Sequence, residues 1–399
     1  MRSLLPSSLL VVCSLFIVCG PQGTLLAGSK SSSNGSSVSD SSLRESGPIV
    51  INGKNGIVIQ GLKITSNQGD CVRIVNSKNI TIQNSEIGPC TGNGVSISGS
   101  NGINIFDSYI HPETQSPGCC DHNDGVYAVE PTDLRIEGNV LAYGESNIEV
   151  QGGTNVTVIG NFLLNPRGPY PRGQNFQCWS HGAKGAGPHC RNVTVSNNYA
   201  VSSTDTEKYL YPDNGEDSIN FGQSEGVIAD NNFITGGHSN SGCGLIADRG
   251  TNNAQFRNNR LLDTGQCGIG ISDGSNHVVE NNKVLNRTPV PGAGNQGIYV
   301  WQSYKENGAC SAVRLSNNIS IALKPDGTKT GFWKGKGCDP VTMENNIWGA
   351  DAAKALSQIE RHFTPPLIPP QPKNCAVRSP YTTQTNAPPC AESAKQSTE

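Results

Sequence analysis

Residues 243–262, CGLIADRGTNNAQFRNNRLL, and residues 267–285, CGIGISDGSNHVVENNKVL, are two copies of one unit. Each copy holds two short alternating runs, the second of which closes on Asn-Asn. The second half of the unit reads apolar-x-apolar-x-(Asn/Gly/Asp)-(Asn/Ser)-x-apolar. It recurs from Ile57, Ile80, Ile103, Leu134, Val156, Val193, Val227, Ala254, His277, Val313 and Val341. A short repeated unit of this kind marks a solenoid. The closing position is asparagine in the last eight copies, at Asn139, Asn161, Asn198, Asn232, Asn259, Asn282, Asn318 and Asn346. A side-chain amide has two donors and an acceptor, so a buried column of asparagines satisfies itself by bonding to its equivalents above and below.

Each unit is too short for a βαβ crossover and carries no 3.6-residue periodicity, so successive strands must stack in parallel on their neighbours. With these repeats and this asparagine column, residues 47–349 resemble the right-handed parallel β-helix proteins of the pectate-lyase-like superfamily. The resemblance implies an all-β solenoid of about eleven coils with an asparagine ladder. For function it implies a range: lyases, hydrolases, epimerases and non-catalytic binding proteins.

Composition agrees with a narrow aliphatic core turned at every corner, with 47 Gly, 2 Met and 35 % hydrophobic residues. The first 28 residues carry Arg2, an apolar stretch from Leu9 to Val18 and small residues up to Gly28, the layout of a secretory signal. No other stretch is long enough to span a bilayer. Secretion is therefore expected, and with it disulfides. Beyond that segment lie twelve cysteines in sequence-near pairs: Cys71 and Cys90, Cys119 and Cys120, Cys178 and Cys190, Cys243 and Cys267, Cys310 and Cys338, Cys375 and Cys390. Sequence alone leaves the pairing open, and Cys243 with Cys267 is the best case because the repeat puts them in one column on adjacent coils. A formal net charge of −3 excludes the basic surface that collects nucleic acid. It also gives no general pull on a polyanion, so affinity for an acidic sugar polymer would have to be local.

Residues 29–46 are rich in Ser and Gly and read as a linker. The first strand of each coil centres on Val50, Arg73, Ser96, Tyr127, Glu149, Gln177, Asn220, Ile246, Gly270, Tyr299 and Trp333, and alternation sends this middle column to solvent. Coil length varies at one corner, just before that strand. The insertions, at residues 111–124, 165–175, 202–217, 235–243 and 286–296, read as walls of a binding face. After Trp348, residues 350–399 read as a C-terminal cap: a short helix from Asp351 to Phe363, with Asp351 as its cap residue, and a Pro-rich tail.

The densest ionisable group lies at the insertion corner of coils four and five. Asp124, Glu145, Glu149 and His122 are the candidate catalytic residues, since crowded carboxylates raise one another's pKa values, as a hydrolase needs, or bind a cation such as calcium, as a calcium-dependent lyase needs; the residues suit both equally. The competing reading is that Asp and Asn at this corner close turns, as Asp70, Asn93 and Asp217 of the same column would. Arg73, Tyr127, Arg172, Gln177, Trp179, Asn220, Tyr299 and Trp301 are the candidate substrate contacts, the aromatic ones because sugar rings stack C–H faces on them. Arg167, Tyr170, Glu216 and Asp217 are candidate walls. Gly222–Gly226 fits the nucleophile-elbow pattern, but it lies between two strands with no helix following. The sequons at Asn79, Asn155 and Asn192 fall in one repeat column, which explains them without glycans. The expected function is therefore that of a secreted monomer acting on a polysaccharide as lyase or hydrolase. The alternative is a non-catalytic glycan-binding or structural rod.

Overall fold

The computed structural model describes residues 43–112, 123–168, 172–180, 189–202, 215–237, 239–307 and 310–353. Each repeat gives one strand to each of three sheets. The first sheet runs from Ile49–Asn52 to Phe332–Lys334 in eleven strands, and the second from Val58–Gln60 to Val341–Glu344, also in eleven. The third begins with Arg44–Ser46, within the stretch read as linker, and ends around Ile319–Leu323. Successive coils pair in parallel throughout; only the two-residue strand Lys329–Thr330 runs antiparallel, at the last coil. The chain is an all-β parallel β-helix of eleven coils.

The repeat pattern now has a physical reading at each position. Its apolar residues stack like on like inside the coil, as in Ile80, Ile103, Leu134, Val156, Val193 and Val227 of the second sheet. Phe176 and Phe221 of the first sheet and Phe256 of the second pack ring to ring in the same core, with neighbouring rings 5.7 and 5.9 Å apart. The Asn/Gly/Asp position turns the corner with positive φ, at Asn84, Asp107, Gly138, Gly160, Asn197, Asn231, Asn258, Asn281, Asn317 and Asn345. Only Gly, Asn and Asp visit that region cheaply.

The next residue is the ladder. Side-chain amides from Asn139 to Asn346 bond in an unbroken series at 2.9–3.1 Å. Each also receives a backbone N–H from the coil before it and donates to a carbonyl there, as Asn232 does with the Asn198 N–H and the Val195 carbonyl. Ser85 and Ser108 do the same work in the early coils.

Among the described residues four cysteine pairs are disulfides: Cys71–Cys90, Cys178–Cys190, Cys243–Cys267 and Cys310–Cys338. Cys243 and Cys267 are register partners on adjacent strands. Cys119, Cys120, Cys375 and Cys390 lie outside the described residues, as do the signal segment, most of the linker and the Pro-rich tail. The C-terminal helix begins at Gly349–Ala353, so Asp351 stands in its first turn and does not cap it.

The insertions depart from expectation. They enter at both edges of the first sheet, because residues 180–190 and 301–312 lengthen the corner after it as well. Either corner accepts extra chain without breaking the ladder, and the Cys178–Cys190 and Cys310–Cys338 disulfides tie the second set down.

Replacing Asn232 by Ala strands the Asn198 N–H in a dry interior and should cost about 2–4 kcal/mol. Asn346, half-buried at the last coil, should cost only about 1 kcal/mol on the same change. Urea unfolding of both variants reads the difference.

His277 fills an aliphatic core position and is fully buried. Its Nδ1 accepts the Ala254 N–H at 3.4 Å, and its Nε2–H donates to the Asp273 carbonyl at 3.0 Å. Burial pushes its pKa down to about 4, so the unfolded chain takes up the proton first. Stability from this residue is complete above pH 6.5 and is lost as pH falls toward 4, by at most roughly 3 kcal/mol. Denaturation of His277→Val between pH 7 and 4 should lack that loss.

Candidate active site on the outer face of the first sheet

Strand register fixes which side chains share the outer face of the first sheet. The middle column lines up as read from Val50 to Trp333. Its exposure differs: Val50, Arg73 and Trp333 face solvent, whereas Glu149, Gln177, Asn220, Ile246 and Tyr299 are buried. Arg172, from the insertion before coil six, covers the centre, reaching Glu149 at 3.2 Å and Gln177 at 3.0 Å. Further on, Ile246 and Tyr299 pack with the Cys243–Cys267 disulfide in an apolar cluster outside the coil.

Two more columns point the same way. One follows the strands and holds Gln151, Trp179, Gly222 and Asp248, then Ser272 and Trp301 by continuation. The other precedes them and holds Asp70, Asn93, Asp124, Ser146, Gln174 and Asp217. In this column Asp70 accepts the Asn93 N–H, Asn93 the Asp124 N–H, and Asp124 the Ser146 N–H, at 2.8–2.9 Å. Corner closure therefore uses one oxygen of each of these side chains.

The sequence-derived candidates Asp124, Glu145, Glu149, Tyr127, Arg172 and Gln177 come together over coils four to six. Burial, then the Glu149 charge, holds the Asp124 carboxyl well above its ordinary range, against the Ser146 N–H. Glu149 has charge-compensating partners instead: the Arg172 guanidinium at 3.2 Å and the Gln151 amide at 2.7 Å. Tyr127, between them, is pushed up to about 12, first by burial and then by the Glu149 charge. Asp124, Glu145 and Glu149 are all buried. Arg167 bonds the Tyr143 carbonyl and Asn123, which holds its insertion down. Arg73 stands apart on coil two, and His122 and Tyr170 lie outside the described residues. Among the described residues no group of three or more His, Cys, Asp or Glu is arranged to hold a metal ion.

A second carboxylate group lies two to four coils on, and it keeps an edge to solvent. Burial and then the Asp248 charge push Glu216 up to about 7; Arg249 and a hydrogen bond from Ser241 oppose them. Asp217 is held well above its usual range by burial and by Glu216 and Asp248, though the Cys243 N–H (2.7 Å) and the Asn220 amide (2.6 Å) bond it. Burial also raises Asp248, against a hydrogen bond from Ser272. The Tyr299 hydroxyl is raised by burial and then by the same two aspartates.

Aromatic rings line this group. Trp179 lies on Gly222, where a Cβ would come within 2.0 Å of the ring, so only glycine permits the ring to lie flat. The Arg249 guanidinium stands 5.8 Å from the Trp179 ring centre and 4.5 Å from that of Tyr304. Trp301 and Trp333, both exposed, meet edge to face at 5.9 Å. Of this set, Asp248, Arg249 and Tyr304 escaped the sequence reading. The signal was present, since one more step of the alternation that placed Trp179 and Trp301 outward also places Asp248 there.

The sequence profile of the family described as "Right handed beta helix region" matches residues 22–121, 47–161 and 118–347. The chain belongs to the right-handed β-helix family. A comparison with curated proteins finds no match. Among solved structures, the catalytic unit of a thermostable GH87 alpha-1,3-glucanase from Streptomyces thermodiastaticus strain HF3-3 is 15 % identical with a TM-score of 0.46. The match covers 75 % of this chain and 52 % of that one. PfbA, a surface adhesin of Streptococcus pneumoniae, is 14 % identical at 0.35, covering 74 % and 60 %. The A-module of the Azotobacter vinelandii mannuronan C-5 epimerase AlgE6 is 15 % identical at 0.45, covering 73 % and 74 %. This β-helix thus spans about half to three-fifths of the first two, and what it shares with all three is the fold.

The Glu216 carboxyl should titrate near pH 7 in a carbon-detected NMR experiment. Asp248→Asn removes a charge that raises it and should move the midpoint down, with burial keeping it above 4.5. The sign for stability opposes that of His277. The contribution of Glu216 is complete below pH 4.5 and is lost as pH rises through about 7.

Proposed function

We propose that this β-helix is an exported, polysaccharide-active enzyme whose chemistry is glycoside hydrolysis at Glu216 and Asp248. The observation that carries the reading is Glu216, half-buried beside Asp248, its pKa pushed up to about 7 by burial and by the Asp248 charge. Glycoside hydrolysis requires that pairing, one carboxyl donating a proton to the leaving oxygen and the other acting as base or nucleophile. Asp217, fixed by the Cys243 N–H and the Asn220 amide, positions the pair electrostatically. Trp179, flat on Gly222, offers a sugar ring an apolar face. The four disulfides support export, since such bonds persist in oxidising compartments.

The buried Asp124–Glu149 pair is the second candidate centre, for it too sets a carboxyl with a raised pKa, Asp124, beside a second carboxylate, Glu149, which Arg172 meets at 3.2 Å. Its burial favours the first site.

The test is incubation with acidic and neutral polysaccharides, with and without calcium, following new reducing ends and unsaturated-uronate absorbance together. Reducing ends without absorbance are expected. Glu216→Gln and Asp248→Asn should each lower the rate by about a hundredfold or more with melting temperatures maintained. Absorbance would make the enzyme a lyase. If Asp124→Asn or Glu149→Gln abolishes activity and Glu216→Gln spares it, the chemistry belongs to the other centre. If polymers bind and none is cut, the chain is a glycan-binding rod.

A further inference from the structure

Phe233, Leu285 and Ile321 stand on the outer face of the third sheet, their strand neighbours Ile234 and Val284 filling the core inside the coil. Outward residues meet water unless something lies on them, yet these three are at most 5 % exposed. They form one apolar cluster with Ala352, fully buried, from the helix Gly349–Ala353. The patch is longer than that helix. Register steps from Phe233 through Arg260 and Lys283 to Ile319 cover three rungs, about 14 Å. Five helical residues span about 7.5 Å, and they pack at the near end, against Ile319–Leu323, Lys329–Thr330 and Ile347–Trp348. Among the described residues no other element outside the coils packs on this patch.

We infer that residues 354–363 continue this helix back along the third sheet, from coil ten to coil seven, and seat Leu356, Ile359 and Phe363 on the patch between Leu285 and Phe233. Ala352 fixes the phase. At about 100° per residue, Leu356, Ile359 and Phe363 all come within about 40° of its direction, while Lys354, Ser357, Gln358 and Arg361 fall on the opposite half, toward water. Length agrees with phase. From Ala352 to Phe363 a helix advances about 16 Å, against about 14 Å of patch, and Pro365 and Pro366 stop it there. Charge agrees as well. Arg260 and Lys283 place two cations on coils eight and nine, and burial lowers the pKa of both. Glu360, the one acid between Lys354 and Lys373, falls on the flank of the helix about 12 Å beyond Ala352, level with coils seven and eight. A helix this short is marginal alone in water, so the sheet is what holds it.

Hydrogen–deuterium exchange on the full-length protein tests this, with Ile359→Asp set against Ser357→Asp, which adds the same charge to the outer side of the helix. In wild type and Ser357→Asp the amides of residues 356–363 should exchange about tenfold or more slowly than free chain, and in Ile359→Asp at the free-chain rate. Ile359→Asp alone should bind the dye ANS, through the uncovered patch, while the amides of coils one to six keep their protection. Free-chain exchange of residues 356–363 in the folded wild type overturns the inference. So does an Ile359→Asp variant indistinguishable from Ser357→Asp. ANS binding that appears when wild type is diluted, together with loss of a dimer in sedimentation, identifies a second copy as the cover and overturns it too. Wild-type exchange reads the segment directly, so the test stands even where Ile359→Asp fails to fold.

Discussion

Parallel pairing at a strand spacing of about 4.8 Å sets every residue over its equivalent in the next coil, and the rest of the molecule follows from that constraint. An apolar column gains by it, since like packs on like. A buried amide column gains more, because each Asn supplies the acceptor its neighbour lacks. A column of carboxylates would be repelled by it. The corner column respects this: Asp124 and Asp217 are separated by Ser146 and Gln174, and Asp70 from Asp124 by Asn93. Carboxylates crowd here only across columns, as Asp124 does with Glu149 and Asp217 with Asp248.

The two groups resolve the cost of buried charge in different ways. Around Glu149 a guanidinium and an amide supply the compensating contacts, and burial raises the pKa of the neighbouring Asp124. Around Asp248 the compensation comes from hydroxyls, amides and a cation that stays at the rim, so several carboxyls have raised pKa values together. The first arrangement suits a fixed ion pair. The second leaves protons close to solvent, where they can be exchanged.

Sequence periodicity carried the fold because the ladder and the core are properties of every coil. The column from Val50 to Trp333 was legible for the same reason. Its burial was not, since Arg172 comes from an insertion that obeys no period and alternation alone does not show the Cys243–Cys267 disulfide packing over Ile246 and Tyr299. Asp248 was lost by ending each strand at its third residue. The Trp179–Arg249–Tyr304 stack joins residues from coils six, eight and ten, and no local pattern announces it. Gly222 looked like one glycine among 47 until the ring above it gave it a reason.

Stacking also gives the molecule a ruler. Glu149 and Asn220 are two rungs apart, through Gln177, so the centres they mark are separated by about 10 Å along the axis. That interval cannot be tuned continuously, because a shift smaller than one rung would break the asparagine series. Duplication or loss of a coil would change it in whole steps, carrying the ladder along unharmed. Loops at the two corners can vary freely, while distances measured along the sheet come only in integers.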